Sequence, residues 1–243
     1  MGDLSRAAWP LDLGIATPTA GVIARAYGRR RAARYAAALA AALTVQHVAL
    51  RAAMRATGAR EASPGDLLTL SRATGGAVLA GLVAAGVRDR AGAAGRLGWL
   101  VALLGATLSD WLDGPLSRHA GPTRLGRDLD LEADSWLTLW AAAGAVAWGG
   151  LPRWCLLPPL LRYAGPLRDL SRCELPAGGG PRWGRATGTA QMALILAALA
   201  PVDRWLRWPP ERRRRVLAGA AWPVSGAQAL TVIVSLARRW RAR

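Results

Sequence analysis

Four aspartates stand out within residues 110 to 134 by their spacing: Asp110 and Asp113, then Asp130 and Asp134, with Gly114, Ser117, Arg118 and Gly126 between them. Carboxylates gathered this closely repel, and each would raise its neighbours' pKa. A hard divalent cation removes that repulsion, and an all-oxygen donor set suits magnesium, manganese or calcium. Two such ions about 3.5 to 4 Å apart make a site for phosphoryl transfer. Arg118 adds a guanidinium able to hold a phosphate, and the glycines let a ligand or a neighbouring helix approach closely. A single aspartate would be explained by capping a helix end at a wet surface. The set at this spacing is not.

The spacing also says how the acids must be held. Residues i, i+3, i+4, i+7 and i+8 of a helix share a face. Asp110, Asp113, Gly114, Ser117 and Arg118 fit that pattern on one helix, and Gly126, Asp130 and Asp134 fit it on the next. A short connection makes two such helices antiparallel neighbours, so the two carboxylate pairs converge near one end. Apolar sequence flanks both, LGWLVALLGATL before and SWLTLWAAAGAVAWGG after. An acid at the centre of a membrane helix costs about 2.5 to 3.5 kcal/mol on insertion scales, so acids bordering such sequence are expected to be functional.

Composition points to an integral membrane protein. The chain has 243 residues, is 52% hydrophobic and carries a net charge of +17. Its apolar residues are bunched into runs of roughly 16 to 22, the length that crosses about 30 Å of hydrocarbon as helix. The Arg clusters, Arg29 to Arg31, Arg212 to Arg215 and Arg238 to Arg243, sit at the ends of apolar runs. That placement suits anionic lipid headgroups and argues against nucleic acid, whose binders carry a basic face on a soluble fold. Every basic residue is Arg, which is read as a genomic composition bias. Cys155 and Cys173 have no ligand spacing, His47 and His119 stand alone, and residues 1 to 28 have no apolar core for a cleavable signal.

The expected architecture is all-α, with six transmembrane helices and an N-terminal interfacial or extra helical segment. Residues 1 to 57 form that segment, mildly apolar over 14 to 27 but broken by Pro18. From Arg34 to Arg55 it is Ala-rich and interrupted by Gln46 and His47, so an amphipathic interfacial position is expected. After the loop GAREASPGD, residues 58 to 243 are expected to form the six-helix domain, with Ser63 or Asp66 capping the first helix. The helices are placed at about 67–87, 97–116, 125–148, 154–170, 185–199 and 216–237. Pro158 and Pro159 are expected to kink the fourth. Trp99, Trp148, Trp154, Trp183, Trp205, Trp208 and Trp240 fall at run ends, as an interfacial belt requires. Arg204, Arg207 and Arg212 to Arg215 fall in the loop opposite the acidic one, so counting charges does not fix the orientation.

The pattern Asp-x2-Asp-Gly-x2-Ser-Arg followed by Gly-x3-Asp-x3-Asp resembles the signature of the CDP-alcohol phosphotransferases. Asp110, Asp113, Gly114, Ser117, Arg118, Gly126, Asp130 and Asp134 match it position by position. Ser117 replaces the commoner Ala, and the connection from Arg118 to Gly126 is shorter than usual. DLLTLSR at residues 66 to 72 and GRATGTAQM at 184 to 192 resemble further family segments, with Asp66 for Asn and Arg185 for Lys. The run GRDLDLEADS with LLRYAG at 160 to 165 resembles a less characterised branch of the family. The resemblance covers about residues 60 to 237.

The resemblance implies a six-helix membrane enzyme, commonly a homodimer, that moves a substituted phosphate from a CDP-linked donor to an alcohol and releases CMP. It implies two Mg2+ or Mn2+ ions on Asp110, Asp113 and Asp130, with Asp134 as a further ligand and as the base for the acceptor hydroxyl. Thr69, Asp110, Gly114, Ser117 and Arg118 would line the CDP site. Arg127, Arg162, Arg168 and Arg185 are candidates for an anionic acceptor or a donor phosphate. Glu132 and Asp128 lie off the Asp130/Asp134 face and are expected at the surface or helix start; Trp111 and Trp136 are expected to pack.

The leading expectation is a phosphatidyltransferase using CDP-diacylglycerol in phospholipid biosynthesis. It would sit among membrane lipids in a bacterial plasma membrane, with its site facing the cytoplasm. The alternatives are a soluble CDP-alcohol donor with a lipid acceptor or, in a different class, a divalent-cation transporter. Transport needs polar positions along a path through several helices, whereas these collect at one end. A silent membrane scaffold would not need all eight signature positions.

Overall fold

A computed structural model describes residues 4–58, 64–86, 99, 103–106, 124–163, 183–201 and 205–241. Among them every element is helical: α1 Leu4–Tyr27, α2 Arg29–Thr57, α3 Pro64–Ala84, α4 Arg124–Ala147, a 3-10 turn Arg153–Leu156, α5 Gly184–Leu199 and α6 Pro210–Arg241.

Local sequence explains most of the boundaries. α2 is built on Ala, the best helix former, and stops at Gly58, whose φ of 69° is the left-handed geometry of a helix C-terminus. α3 opens on Pro64, whose missing N–H costs nothing in a first turn. α4 ends where Gly149 turns left-handed and the amides of Gly150 and Leu151 both bond back to the Ala145 carbonyl. Pro158 and Pro159 follow the 3-10 turn at the start of helical residues 157–163. They sit where few intrahelical bonds are at stake, so the bend expected inside a helix lies at its beginning.

α3 is the central element. It packs on α1, α2 and α4; α4 in turn packs on α5, and α5 on α6. The α3–α4 contact is close because Gly76 lies under Trp136, and a methyl there would come within 2.7 Å of the indole. Gly81 does the same for Tyr35 of α2, again at 2.7 Å. A second core joins α4 to α5 and α6 through Leu137, Ala141, Ala145, Leu194, Ile195 and Ala221. Trp99 and Leu103 belong to it, so Trp99 is a core residue rather than part of a belt.

The N-terminal region differs from its expectation. α1 is continuous through Pro10 and Pro18; each proline removes one amide donor, and packing on α2 and α3 offsets the loss. Gln46 and His47 do not interrupt α2 but bond across it. His47 Nε2 lies 2.8 Å from Asp12 Oδ2, and the Thr74 hydroxyl donates to Asp12 Oδ1. Gln46 Nε2 donates to Thr74 Oγ1 at 3.3 Å and to the Leu70 carbonyl at 3.5 Å. α2 runs antiparallel to α3 over nearly its whole length, from Arg31 on the Gly86 carbonyl to Gln46 on Leu70.

Three described helices are long and apolar enough to cross a membrane: Arg29–Thr57, Gly65–Ala84 and Pro210–Arg238. α4 opens on charged residues and α5 has only 16 residues. Arg212 to Arg215, placed in a loop by sequence, lie in the first turns of α6. Arg213 there donates to the Ala198 and Ala200 carbonyls at the end of α5, a C-terminal cap.

Candidate functional site

α4 sorts its opening residues by rotation. Leu125 and Leu129 are buried against Ala49, Leu50 and Ala53 of α2 and Leu70 of α3. Burying that stripe turns Gly126, Asp130 and Asp134, spaced four apart, to a neighbouring face of the same helix. Their carboxylates are held half open, with side chains 45% and 39% exposed.

Beneath them lies Arg72 of α3, itself only 2% exposed. One guanidinium nitrogen, Nη1, donates to Asp130 Oδ1 at 2.9 Å and to Asp134 Oδ1 at 2.7 Å. These are charge-assisted bonds, roughly twice as strong as neutral ones. The buried cation also offsets the repulsion between two carboxylates one turn apart. The arrangement presents two fixed, outward-facing oxygen donors on a rigid floor. Its chemistry suits a hard cation, although no group of three or more His, Cys, Asp or Glu is gathered for a metal among the described residues.

The sequence-predicted residues divide as follows. Asp130 and Asp134 are brought together, with Gly126 one turn before them. Thr69 is buried on α3, three positions before Arg72. Asp110, Asp113, Gly114, Ser117, Arg118 and Arg168 lie outside the described residues, as does Trp111. Arg127 lies in the first turn of α4. Arg162 directs its guanidinium at Gly188 of α5, 3.6 Å from where a Cβ would stand there, and Arg185 is exposed one turn earlier on that helix. These two arginines therefore share an edge with α5. Gln191, in the segment GRATGTAQM, is buried and accepts from Ser225 of α6 at 3.0 Å, which ties α5 to α6.

Two residues take their place from the fold rather than from spacing. Arg72 is not part of the acidic pattern, yet an arginine inside the apolar run LLTLSRATGGAVL is costly enough to flag itself. Glu132, expected at the surface, is 8% exposed, because α2 and α3 cover the face of α4 opposite the aspartates. Trp136 packs as expected, its ring 5.0 Å from that of Tyr163 and 5.5 Å from that of Trp140.

Compared with known families, residues 64–234 match the model described as CDP-alcohol phosphatidyltransferase. The matched span takes in α3 with Arg72, all of α4 and most of α6. No curated protein and no solved structure matches the chain.

Proposed function

This chain belongs to the CDP-alcohol phosphatidyltransferase family, whose members transfer a phosphate-alcohol group from a CDP-alcohol, and we propose that it is an integral membrane enzyme moving the phosphatidyl group of CDP-diacylglycerol to an alcohol. The observation that carries this reading is the buried Arg72 under Asp130 and Asp134, which holds the second half of the acidic signature in place.

In the proposed reaction the acceptor hydroxyl attacks the phosphorus that bears diacylglycerol. The bond from that phosphorus to the CMP oxygen breaks, CMP leaves, and the hydroxyl proton passes to the Asp134 carboxylate. An aspartate is a weak base for an alcohol, so its position and local charge matter more than its intrinsic pKa. Arg72 supplies the position by fixing one oxygen of Asp134. Asp110, Asp113 and Asp130 are the proposed ligands of two Mg2+ or Mn2+ ions, joined by Asp134. When bound, such ions neutralise the diphosphate and acidify the acceptor hydroxyl. Gly114, Ser117, Arg118 and Thr69 are proposed to hold the cytidine diphosphate, and Arg127, Arg162, Arg168 and Arg185 to attract anionic substrate groups.

Residues 58–243 are proposed as the enzyme domain, a homodimer with six membrane helices in the plasma membrane and the site facing the cytoplasm. The lengthwise pairing of α2 with α3 supports a membrane position for α2 rather than an interfacial one.

The test offers purified protein radiolabelled CDP-diacylglycerol with Mg2+ or Mn2+. The acceptor panel is glycerol phosphate, inositol, inositol phosphate, serine and phosphatidylglycerol. Metal-dependent CMP release with one of them is expected. Release from none, with turnover of a soluble CDP-alcohol instead, would reverse donor and acceptor.

A further inference from the structure

α5 turns into α6 at the end of the bundle away from the aspartates. α3 and α4 run side by side in one direction, with Leu70 clustered on Leu125 and Gly76 under Trp136. The far end of α4 meets the far end of α5, where a methyl on Gly150 would come within 2.8 Å of the Ala198 carbonyl oxygen. Residues Trp205 to Pro209 then lead into α6. That helix is long and apolar enough to cross a membrane, and Trp222, Leu230 and Ile233 along it are each more than half exposed. The corner therefore stands where a lipid-facing helix meets the membrane surface.

Apolar and basic side chains are exposed together in this corner. Trp205 is 63% exposed and Leu206 53%. Residues 205 to 216 hold five arginines against one acid, Glu211. Arg213 turns back to cap α5, whereas Arg207, Arg212, Arg214 and Arg215 are exposed. Folding does not account for these four. Arg212 stands in the first turn of α6, where a cation opposes the helix dipole, and Arg214 and Arg215 crowd like charge behind it. The Arg212 guanidinium lies 5.0 Å over the Trp208 ring, which sets its charge level with the aromatic side chains. Arg207 takes a φ of 52°, a left-handed backbone that a side chain other than glycine adopts at a cost.

Guanidinium groups bind phosphate in a bidentate fork, and indoles favour the boundary between headgroups and acyl chains. An acidic peptide or a nucleic acid satisfies the arginines but leaves the exposed indole and leucine in water; an anionic lipid satisfies both. We propose that the α5–α6 corner is a binding site for anionic phospholipid headgroups, with Arg207, Arg212, Arg214 and Arg215 holding phosphate and Trp205 and Leu206 set into the adjoining acyl region. The site lies at the other end of the bundle from Asp130 and Asp134. It is separate from the substrate being transferred and does not depend on the transferase reading.

The test extracts the full-length protein from discs of phosphatidylcholine containing a minor share of phosphatidylglycerol and counts the lipids it retains by native mass spectrometry. Wild type is expected to retain phosphatidylglycerol in preference to phosphatidylcholine. A basic residue near an anionic surface is worth about fivefold, so Arg212→Gln, Arg214→Gln and Arg215→Gln combined are expected to lower that preference at least about tenfold. Arg51, Arg55 and Arg238, three exposed arginines at the aspartate end, are changed together to Gln as the matched control and are expected to leave most of it. Should the first triple variant fail to fold, Arg214→Gln alone is expected to cost about fivefold, with a smaller loss in Trp205→Ser. Asp134→Asn, inactive under the transferase reading, keeps the preference, so the two ideas fail separately. Absence of preference in wild type, equal loss from the two triple variants, or displacement of the lipid by polyglutamate or a DNA oligomer overturns the proposal.

Discussion

Asp130, Glu132 and Asp134 are alternate residues of one helix, yet the two faces of α4 treat them oppositely. The aspartates look outward, half exposed, with Arg72 clamped to both. Glu132 looks inward, 8% exposed, with no basic side chain paired to it among the described residues. About 100° of rotation per residue separates these environments. What an acid does here is decided by which helix covers its face, since the side-chain chemistry is nearly the same.

That contrast can be broken from either side. The largest change is expected on the clamped face. Arg72→Ala leaves two carboxylates one turn apart without their cation. Because both can rehydrate, the expected destabilisation is moderate, about 1–3 kcal/mol, but CMP release is expected to fall at least about tenfold as Asp134 loses its orientation. Thermal unfolding in detergent and the CMP assay read the two effects; normal turnover in a folded Arg72→Ala protein would detach the clamp from function. Next comes the contact on which both faces depend. Gly76→Ala pushes a methyl against the Trp136 indole and is expected to cost about 1–3 kcal/mol through overpacking, measured by the same unfolding midpoint. An unchanged midpoint would mean that α3 and α4 are not held at this separation.

The smaller effects sharpen the other side. Thr74→Val removes the hydroxyl that joins Asp12 to Gln46. A loss of about 1–3 kcal/mol is expected, since it leaves buried partners unmet, and faster proteolysis of residues 1–57 is expected to accompany it. Glu132→Gln has the opposite sign. Replacing a buried carboxyl that no described residue pairs is expected to be neutral or slightly stabilising, whereas removing Arg72 is not. A large loss of stability in Glu132→Gln would show that its carboxylate has a structural partner, and the comparison would collapse.

The acidic signature was legible because its meaning lies in spacing, and spacing survives in sequence: Asp130 and Asp134 share a face as their four-residue interval requires. The α3, α4 and α5 segments were legible for a similar reason, as long apolar runs between punctuation. Arg72 was not, because an arginine near one end of an apolar run reads like those that face lipid headgroups. Only the fold places it under α4. Gln46, His47 and Pro18 misled in the other direction. Each looks like a break in a weak helix, and each is accommodated by tertiary contacts between α1, α2 and α3. Glu132 was misread for the same cause, since the cover on its face includes α2, which the family pattern does not contain. The first half of the signature, Asp110 to Arg118, rests on sequence alone.

The most direct test of the transferase reading compares wild type with Asp134→Asn in metal-dependent CMP release from CDP-diacylglycerol, alongside the unfolding midpoint of each. Wild type is expected to release CMP and Asp134→Asn to lose about 10²- to 10⁴-fold while its midpoint stays close to wild type. Full activity in a folded Asp134→Asn protein would contradict the role of Asp134, and absence of CMP release by wild type with any acceptor would contradict the transfer itself.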